Sequence, residues 1–267
     1  MKIDLRLLIA EPAEVYHSKR DSYLSSHQLL DYQKSPWLYH KKASGLIPDA
    51  DSTSFVVGRA AHTRILEGFE VFKCSYAVGG PINPTTGRPF GAGTKAFTEW
   101  VAKQGKPVLT HDQEELIEQL WHGVEMNDAA VNLLNEGVAE GVVRTKYAGM
   151  SCQIRIDWLN PAEGIVDLKT CDDLTWFEGD ARRYGYERQL AFYRAVLGEA
   201  LDGLKVPVHI IAVEKREPFR AGVWRVSEET LEAAERQNLA AIERLKSSYE
   251  DMYWPTGFED VRILDIQ

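Results

Sequence analysis

The sequence contains little cysteine, no long apolar stretch and no excess of positive charge. Its 3 cysteines, Cys74, Cys152 and Cys171, are widely spaced and form no CxxC or CxxH pair, which disfavours both a disulfide framework and a structural zinc site. No apolar run approaches the roughly 18 residues that a membrane-spanning helix needs. The N-terminal apolar stretch is also too short for a secretory signal. We therefore expect a cytosolic protein with reduced thiols.

The charge balance is acidic, because 31 lysines and arginines stand against 40 aspartates and glutamates, which gives a net charge of −9. This balance argues against non-specific coating of nucleic acid, but a nucleic-acid enzyme needs only a basic groove. The 267 residues are 44% apolar and 27% charged, as in an ordinary globular protein. Nothing resembles a flexible interdomain linker, so we expect a single domain over residues 1–267.

The spacing of apolar residues predicts an α/β fold, with helices packed on a mixed sheet. Helical patterns cover residues 22–45 with a break at Pro36, 52–68, 112–135, about 183–200 and about 228–252. Three β-rich runs, GVVRTKYAG, SCQIRIDWL and GIVDLKT, predict an antiparallel meander, and VPVHIIAVE and GVWRV add two strands. Residues 79–94 predict an exposed loop, and the wider 79–110 region is too rich in Gly and Pro for an obvious helix. The core would span about 54–226.

The third predicted strand carries Asp167-Leu168-Lys169. Side chains two apart on a strand share a face, so Asp167 and Lys169 project together while Leu168 packs behind them. An acid beside an amine suits a metal-dependent hydrolase, in which the acid holds a cation and the amine orients a water. A hairpin turn near 160–164 would bring Asp157 close to Asp167, where two carboxylates need a cation between them. The plainer alternative is an ion pair on an exposed strand.

Two helical pairs add to this pattern. Gln189 and Tyr193 lie four apart and share one face of a helix. Gly58 and His62 are also four apart, and the small residues between them would let this helix approach the sheet and direct His62 to the site. A hydrogen-bonded core histidine is the alternative for His62.

In their order along the chain, these residues resemble the PDDEXK nuclease superfamily in its RecB-like branch. The motifs are G-x-x-x-H at Gly58 and His62, I-D at Ile156 and Asp157, D-x-K at Asp167 to Lys169, and Q-x-x-x-Y at Gln189 and Tyr193. The finer resemblance is to the nuclease domain of RecE (exonuclease VIII) and its phage relatives. It rests on LSSHQLLDYQKSPWLYHKK, on FVVGRAAHTRIL and on an acidic residue, Glu140, before the meander. The restriction-endonuclease-like core of that superfamily is the fold that this resemblance implies.

The resemblance implies an exodeoxyribonuclease that depends on Mg²⁺ or Mn²⁺. It would degrade one strand of duplex DNA from the 5′ end and leave a 3′ overhang for recombination by strand annealing. The implied metal ligands are His62, Asp157, Asp167 and the main-chain carbonyl of Leu168, with Glu140 reaching the metal directly or through water. Lys169 would position the nucleophilic water, and Gln189, with Tyr193, would support the phosphate or that lysine.

The resemblance also implies a ring-shaped homotetramer that threads double-stranded DNA ends, and a RecT-type single-strand annealing protein as partner. Candidate phosphate contacts, each otherwise a solvated surface charge, are Lys34, Lys41, Lys42, Arg59, Arg64, Arg155, Arg182 and Arg183. Trp37 and Tyr39 could stack on a frayed base, but we expect both to pack in the core.

Some features depart from the relatives. Members with an iron–sulfur cluster need four flanking cysteines, so the 3 cysteines here exclude a cluster. The chain starts almost at the nuclease domain, which indicates a stand-alone, phage-derived exonuclease. Two alternatives remain: an inactive DNA-end-binding or scaffold protein, and an endonuclease on the same core. The complete motif set disfavours the first, and the lack of an obvious groove-reading helix in 79–110 disfavours the second.

Overall fold

A five-stranded sheet forms the centre of the molecule in the computed structural model, which describes residues 2–48, 53–91 and 93–264. The strands are β1 Ala77–Val78, β2 Val108–Leu109, β3 Val138–Tyr147, β4 Met150–Asn160, β5 Gly164–Cys171, β6 Val208–Glu214 and β7 Ala221–Arg225. Strands β3 to β7 lie in chain order across the sheet, and β1 and β2 form a separate parallel pair. The predicted antiparallel meander of β3, β4 and β5 is confirmed. Strand β6 then pairs parallel to β5, and β7 pairs antiparallel to β6.

Helices cover both faces of this sheet. They are α1 Ala13–Ser18, α2 Ser26–Lys34, α3 Pro36–Ala43, α4 Thr53–His62, α5 Phe69–Ser75, α6 Lys95–Gln104, α7 His111–Glu125, α8 Asp128–Leu134, α9 Phe177–Tyr184, α10 Tyr186–Ala200 and α11 Glu228–Asp251. A π-helical turn, Thr63–Glu67, continues α4 up to Gly68. The predicted first residue of this helix, Ser52, lies outside the described residues, as does residue 92 of the predicted loop. The mixed α/β fold with flanking helices is confirmed.

The break at Pro36 follows from local capping. Ser25 accepts a hydrogen bond from the Gln28 main chain, and the Gln28 side chain accepts one from Ser25 in return, which starts α2. Ser35 caps α3 in the same way through Leu38, with Pro36 at the first helical position. Each such cap typically contributes about 1 kcal/mol, so the predicted pair of short helices is fixed by its own sequence.

The side chains of β5 divide between two hydrophobic clusters. Ile165 and Cys171 belong to the cluster that α2, α10 and α11 cover. Val166 and Leu168 belong to the cluster on the opposite face, together with residues of α4 and α7. Leu168 is fully buried, as its place between Asp167 and Lys169 predicted. This alternation directs the two charged side chains of β5 toward the α10 side of the sheet.

An N-terminal arm, residues 2–24, runs along the sheet and brings α1 beside it. The main chain of Ile9 pairs with Val142 of β3, and Leu24 pairs with Cys152 of β4. Glu11 forms an ion pair with Arg144, which is nine-tenths buried. Sequence patterns did not predict this attachment, because its partners lie more than a hundred residues away along the chain.

The fold corrects several sequence-based predictions. The 79–110 region does contain a helix, α6, which Thr94 caps. The helix predicted over 112–135 is two helices, because Asn127 caps a new one. The helix predicted at about 183–200 is preceded by α9, and Gly185, with a φ of +74°, separates the two. Among the described residues, no helix is long and apolar enough to span a bilayer.

The two aromatic residues of α3 have different environments. Tyr39 is buried, and its hydroxyl is 2.7 Å from that of Tyr249, so core packing is confirmed for this residue. Trp37 is 42% exposed, so core packing was wrong for it. It stacks on His40, and Lys41 lies 4.6 Å from the centre of its ring. These two contacts hold the indole at the surface.

Candidate active site

The site begins where β4 and β5 part. Their pairing runs from Asn160↔Gly164 to Trp158↔Val166, and it ends before Asp157 and Asp167. In place of a strand partner, the Leu168 main-chain N–H donates to Asp157 Oδ2 at 2.9 Å. A buried N–H needs an acceptor, so the Asp157 carboxylate takes over a bond that the ladder would have supplied. The predicted approach of Asp157 to β5 is confirmed.

Three possible metal ligands converge at this gap. His62, Glu140 and Asp157 each offer one ligand atom, and these atoms all lie within 4.8 Å of one another. Glu140 lies opposite Asp157 across β3 and β4, between two paired positions. His62 comes from the end of α4, and its Nδ1 is 3.5 Å from Asp157 Oδ2. The group combines one imidazole and two carboxylates from three separate elements.

His62 lies at the junction of α4 with the π-helical turn, and such turns occur frequently at functional sites. Ala60 and Ala61 are fully buried, so this part of the helix packs closely on the sheet, as predicted. A Cβ atom at Gly58 would meet no described atom within 4 Å, so the close approach does not depend on that glycine. Burial lowers the pKa of His62, and Asp157 and a hydrogen bond to the Leu168 main chain only partly oppose this. A neutral imidazole is the form that binds a metal.

Glu140 has an unusual backbone and an unusual proton affinity. Its φ is +56°, a left-handed conformation that costs energy for a residue with a side chain. Burial, followed by the charge of Asp157, raises the pKa of Glu140 to about 8, although Arg155 opposes this. The Arg155 Nε is 3.0 Å from Glu140 Oε2. Arg155 therefore faces a carboxylate of the site, whereas the sequence suggested a phosphate contact.

Asp167 and Lys169 form a tight pair beside this group. Lys169 Nζ is 2.5 Å from Asp167 Oδ2, and the Asp167 side chain is 1% exposed. Neither Asp167 oxygen has a hydrogen-bond partner of good geometry. Burial raises the pKa of Asp167 to about 6, because Lys169 only partly compensates and Asp157 adds repulsion. Lys169 contacts Oδ2 alone, so the buried carboxylate keeps a free acceptor at Oδ1 that a cation could occupy.

Gln189 and Tyr193 lie on α10, on the side of the sheet that Asp167 faces. Both are buried, and Gln189 Nε2 donates to the Tyr193 hydroxyl at 3.3 Å. The predicted shared face is therefore confirmed. Burial raises the pKa of Tyr193, and both Asp157 and Asp167 contribute to the increase, so the phenol lies within their field. Within the described ranges, no hydrogen bond joins Gln189 to Lys169.

A cavity of about 640 Å³ opens beside these residues. Its lining comes from α1, α2, α3, α4 and the segment between α1 and α2, and none of the site residues named above is part of it. Two acids, Asp21 and Asp31, line it together with a basic set: His17, Arg20, His27, Lys42 and Arg59. After burial, the charge of Lys169 is the largest influence that lowers the pKa of His27, which places the cavity next to the site. Sequence reasoning identified only Lys42 and Arg59 in this set. The other three could not be found, because α1 and the start of α2 meet α4 only in the folded chain.

The other predicted basic residues are dispersed. Lys34 is exposed on α2, and Lys41 covers the ring of Trp37. Arg182 and Arg183 are exposed on α9.

Arg64 is 7% exposed, and two of its nitrogens bond the Glu118 carboxylate at 2.7 and 2.9 Å. Its guanidinium also lies 4.0 Å from the ring centre of Trp121. Arg64 thus links the π-helical turn to α7 through a buried ion pair. The prediction of a phosphate contact was wrong for this residue.

The sequence matches one family over most of its length. The model of the PDDEXK-like domain of unknown function (DUF3799) matches residues 25–265. The chain belongs to this family. The matched range contains every motif residue of the site, from His62 to Tyr193, and it confirms the PDDEXK superfamily that the motifs indicated. Residues 1–24, which include the whole N-terminal arm, and the last two residues lie outside it.

Comparison with solved structures agrees with this fold. The crystal structure of a proposed exonuclease from Eubacterium rectale is similar with a TM-score of 0.69 at 16% identity, over 97% of this chain and 97% of that chain. At this identity the similarity shows a shared fold. LHK-Exo in complex with dAMP gives a TM-score of 0.33 at 15% identity, over 60% of this chain and 85% of that chain, which is too slight to show more. No curated protein matches the sequence.

Proposed function

We propose that this PDDEXK-like protein is a divalent-metal-dependent exodeoxyribonuclease. It would shorten one strand of duplex DNA from the 5′ end and leave a 3′ overhang for strand annealing. The observation that carries the proposal is the convergence of His62, Glu140 and Asp157 beside the buried Asp167–Lys169 pair. A histidine, three acids and one lysine at a single gap in a sheet suit phosphodiester hydrolysis better than they suit a structural role.

The residues present fit a divalent cation. His62, Glu140, Asp157, Asp167 and the main-chain carbonyl of Leu168 would hold it, and this mostly oxygen set suits Mg²⁺ or Mn²⁺. The Asp167 carboxylate is the specific support, because it is buried and its contact with Lys169 through Oδ2 leaves Oδ1 without a donor. When bound, the ion would neutralise charge on the phosphate and lower the pKa of a bound water.

The protein itself would orient the attacking water through Lys169. Burial lowers the pKa of this amine, but Asp167 and Asp157 outweigh burial, so the net direction is upward. Lys169 is therefore an ammonium near neutral pH, and it acts as a donor. One N–H faces Asp167 Oδ2, and the remaining N–H groups are available to a water at the gap between β4 and β5. Asp157, tied to the Leu168 main chain, fixes the width of that gap.

The substrate strand would follow the cavity beside the site. Its walls combine the side chains of Arg20, Lys42 and Arg59 and the imidazoles of His17 and His27 with two carboxylates, Asp21 and Asp31. Lys42 pairs with Asp31 at 2.8 Å, so a phosphate would compete with these acids for the basic groups. The lysine and the two arginines of this wall outnumber its two acids, and such a local surplus is compatible with a net charge of −9. Arg182 and Arg183, which are exposed on α9, remain candidate phosphate contacts outside this wall.

The resemblance to RecE-like nucleases also supports two assembly proposals: a ring-shaped homotetramer around the DNA and a RecT-type annealing partner. Light scattering tests the first. Pull-down from a mixture with a purified annealing protein tests the second.

Digestion of three DNA substrates in Mg²⁺ tests the activity. A linear duplex labelled at its 5′ ends, the same duplex labelled at its 3′ ends, and a closed circular duplex are incubated with the protein. We expect early release of the 5′ label, a retained 3′ label and an intact circle. Nicking of the circle would show an endonuclease, and binding without cleavage would show a scaffold.

Two variants tie any activity to the site. Asp167→Ala should abolish it. Asp172→Ala removes a nearby acid that is 66% exposed and paired with Lys215, and it should leave the rate unchanged. Equal loss in both variants would contradict the assignment.

A further inference from the structure

The amine of Lys169 contacts two groups of different chemistry, a carboxylate and an aromatic ring. On its own strand it pairs with Asp167. On its other side it lies over the ring of Tyr186, with Nζ 4.8 Å from the ring centre. The Lys169 side chain is only 16% exposed. A cation over an aromatic face is attracted to it, and the attraction increases when water is excluded.

Tyr186 is held in place by other aromatic rings. It is the first residue of α10, directly after Gly185. Its ring stacks on Tyr184 at 5.9 Å and 29°, and it packs against Phe177 at 6.2 Å. Phe177 is buried and contacts Trp224 at 4.6 Å. The ring therefore lies between a rigid core and the surface, and it cannot move away from Lys169 without disturbing this stack.

We propose that Tyr186 is a positioning residue for Lys169, a role that rests on the proposed nuclease function. A lysine side chain has a flexible four-carbon stem and three N–H donors. Asp167 alone fixes only one of those donors, and the ammonium could rotate about that single contact. The face of Tyr186 fixes a second direction. Together the two contacts direct the third N–H toward the gap where the attacking water would lie.

This role differs from two others that an aromatic residue near a nuclease site could have. If Tyr186 stacked on a nucleobase, its loss would weaken DNA binding and raise KM. If it only packed against Phe177, its loss would lower stability and leave the turnover of the folded protein unchanged. A positioning role predicts a lower kcat with an unchanged KM, because the water is oriented in the transition state.

Two natural substitutions at position 186 separate these roles. Tyr186→Phe keeps the ring, and we expect a kcat within about twofold of wild type. Tyr186→Leu removes the ring, and we expect a kcat at least about tenfold lower, with KM and DNA affinity in Ca²⁺ unchanged. Tyr253→Leu is the control, because it removes a ring that is 60% exposed and that no described contact joins to Tyr186 or Lys169. An unchanged kcat in Tyr186→Leu, or a loss confined to KM, would overturn the proposal. So would a kcat in Tyr186→Phe as low as in Tyr186→Leu.

A third variant covers the case in which Tyr186→Leu does not fold. Replacement of Tyr186 by trifluorophenylalanine keeps the shape of the ring and withdraws electron density from its face. We expect this protein to fold like Tyr186→Phe and to show a severalfold lower kcat. Equal rates for the two would show that ring shape alone is needed.

A double-mutant cycle tests the contact without any activity. Tyr186→Phe and the trifluorophenylalanine protein are compared by urea unfolding, each with Lys169 and with Lys169→Met. We expect fluorination to lower the folding equilibrium constant severalfold with Lys169 present and to have little effect in Lys169→Met. Additive effects of the two substitutions on the free energy of unfolding would overturn the contact between Tyr186 and Lys169. If wild type cleaves no DNA, the proposed nuclease function fails, and this cycle still reports whether Tyr186 holds Lys169.

Discussion

Glu140 retains a proton near neutral pH in the folded, metal-free protein. We expect this raised proton affinity to make the metal-free protein less stable as the pH increases. The pKa of Glu140 is about 8 in the folded protein, against an ordinary value of 4.5. A carboxyl with a raised pKa contributes fully to stability below pH 4.5, and this contribution is lost as the pH rises through the folded value. At about 1.4 kcal/mol for each factor of ten in proton affinity, the difference is on the order of 5 kcal/mol above pH 8. By pH 7 roughly 3 kcal/mol of it is already lost.

Glu140→Gln isolates this effect, because the amide has the shape of the protonated acid and does not ionise. Urea unfolding in EDTA, followed from pH 5 to pH 9, should show the variant increasingly more stable than wild type, with the two curves converging toward pH 4.5. Glu99→Gln on exposed α6 is the control, and it should follow wild type throughout. Parallel pH curves for wild type and Glu140→Gln would refute the assignment of a crowded, protonated Glu140.

A divalent cation should reverse the difference in stability between wild type and Glu140→Gln. At pH 8, Mn²⁺ at a hundred times its dissociation constant stabilises a protein by about 2.7 kcal/mol if it binds only the folded state. Glu140→Gln lacks one of the three converging ligands, so it should gain less at the same concentration. Equal stabilisation of wild type and variant would show that Glu140 does not contact the ion.

The remaining predictions concern turnover and packing. Asp157→Ala and Asp167→Ala should each reduce cleavage by orders of magnitude, measured by end-label release. Asp167→Ala should not lower stability in EDTA, measured by urea unfolding, because it removes a buried carboxylate whose pKa is raised. Lys169→Ala should keep its DNA affinity in Ca²⁺ and lose most turnover. Lys169→Arg should lose almost as much turnover, because a planar guanidinium cannot occupy the place of the ammonium. Full activity in Lys169→Arg would show that charge alone suffices. Thorough chelation with EDTA should abolish cleavage, and residual activity would contradict the metal site. Arg64→Ala should cost about 2–4 kcal/mol of stability, because it leaves Glu118 without its buried partner. The DNA affinity of the folded protein should not change. A loss of DNA affinity instead would restore Arg64 as a phosphate contact.

Local chemistry explains which parts of the fold could be predicted. The caps at Ser25 and Ser35 depend on residues three positions away, and the alternation of β5 depends only on the strand period. The meander followed because its turns are short. For the same reason Asp157, Asp167 and Lys169 could be placed together from sequence spacing alone.

The parts that could not be predicted depend on distant partners. Arg64 looked like a surface charge, yet Glu118, 54 residues away, pairs with it. The N-terminal arm has no strong pattern, and its position is set by Arg144 of β3 and by the edge of that strand. The cavity wall therefore includes side chains that no local rule assigns to a site. Trp37 is a different case, because its contacts are local. Stacking on His40 and contact with Lys41 hold at the surface an indole that hydrophobicity alone would bury.

Four features that break local rules lie together at the gap between β4 and β5, although left-handed non-glycine residues also occur elsewhere, at Ala148, Asp202, Phe219 and Met252. Within the described residues, Glu140 has a left-handed backbone, α4 changes to a π-helical turn directly after His62, the ladder between β4 and β5 opens at Asp157, and the buried Asp167 has Lys169 as its single charged partner. Each of these costs free energy in the metal-free protein, and none improves the packing of either hydrophobic cluster. Local strain of this kind persists only where surrounding structure enforces it, and here two well-packed clusters flank β5 on both faces. A sequence selected only for stability would have removed these costs one at a time, by a smaller residue at 140 or an apolar one at 167. Their concentration at one gap in the sheet is itself an argument that the gap binds a cation, because a bound cation lowers the cost of the crowded carboxylates without protonating them.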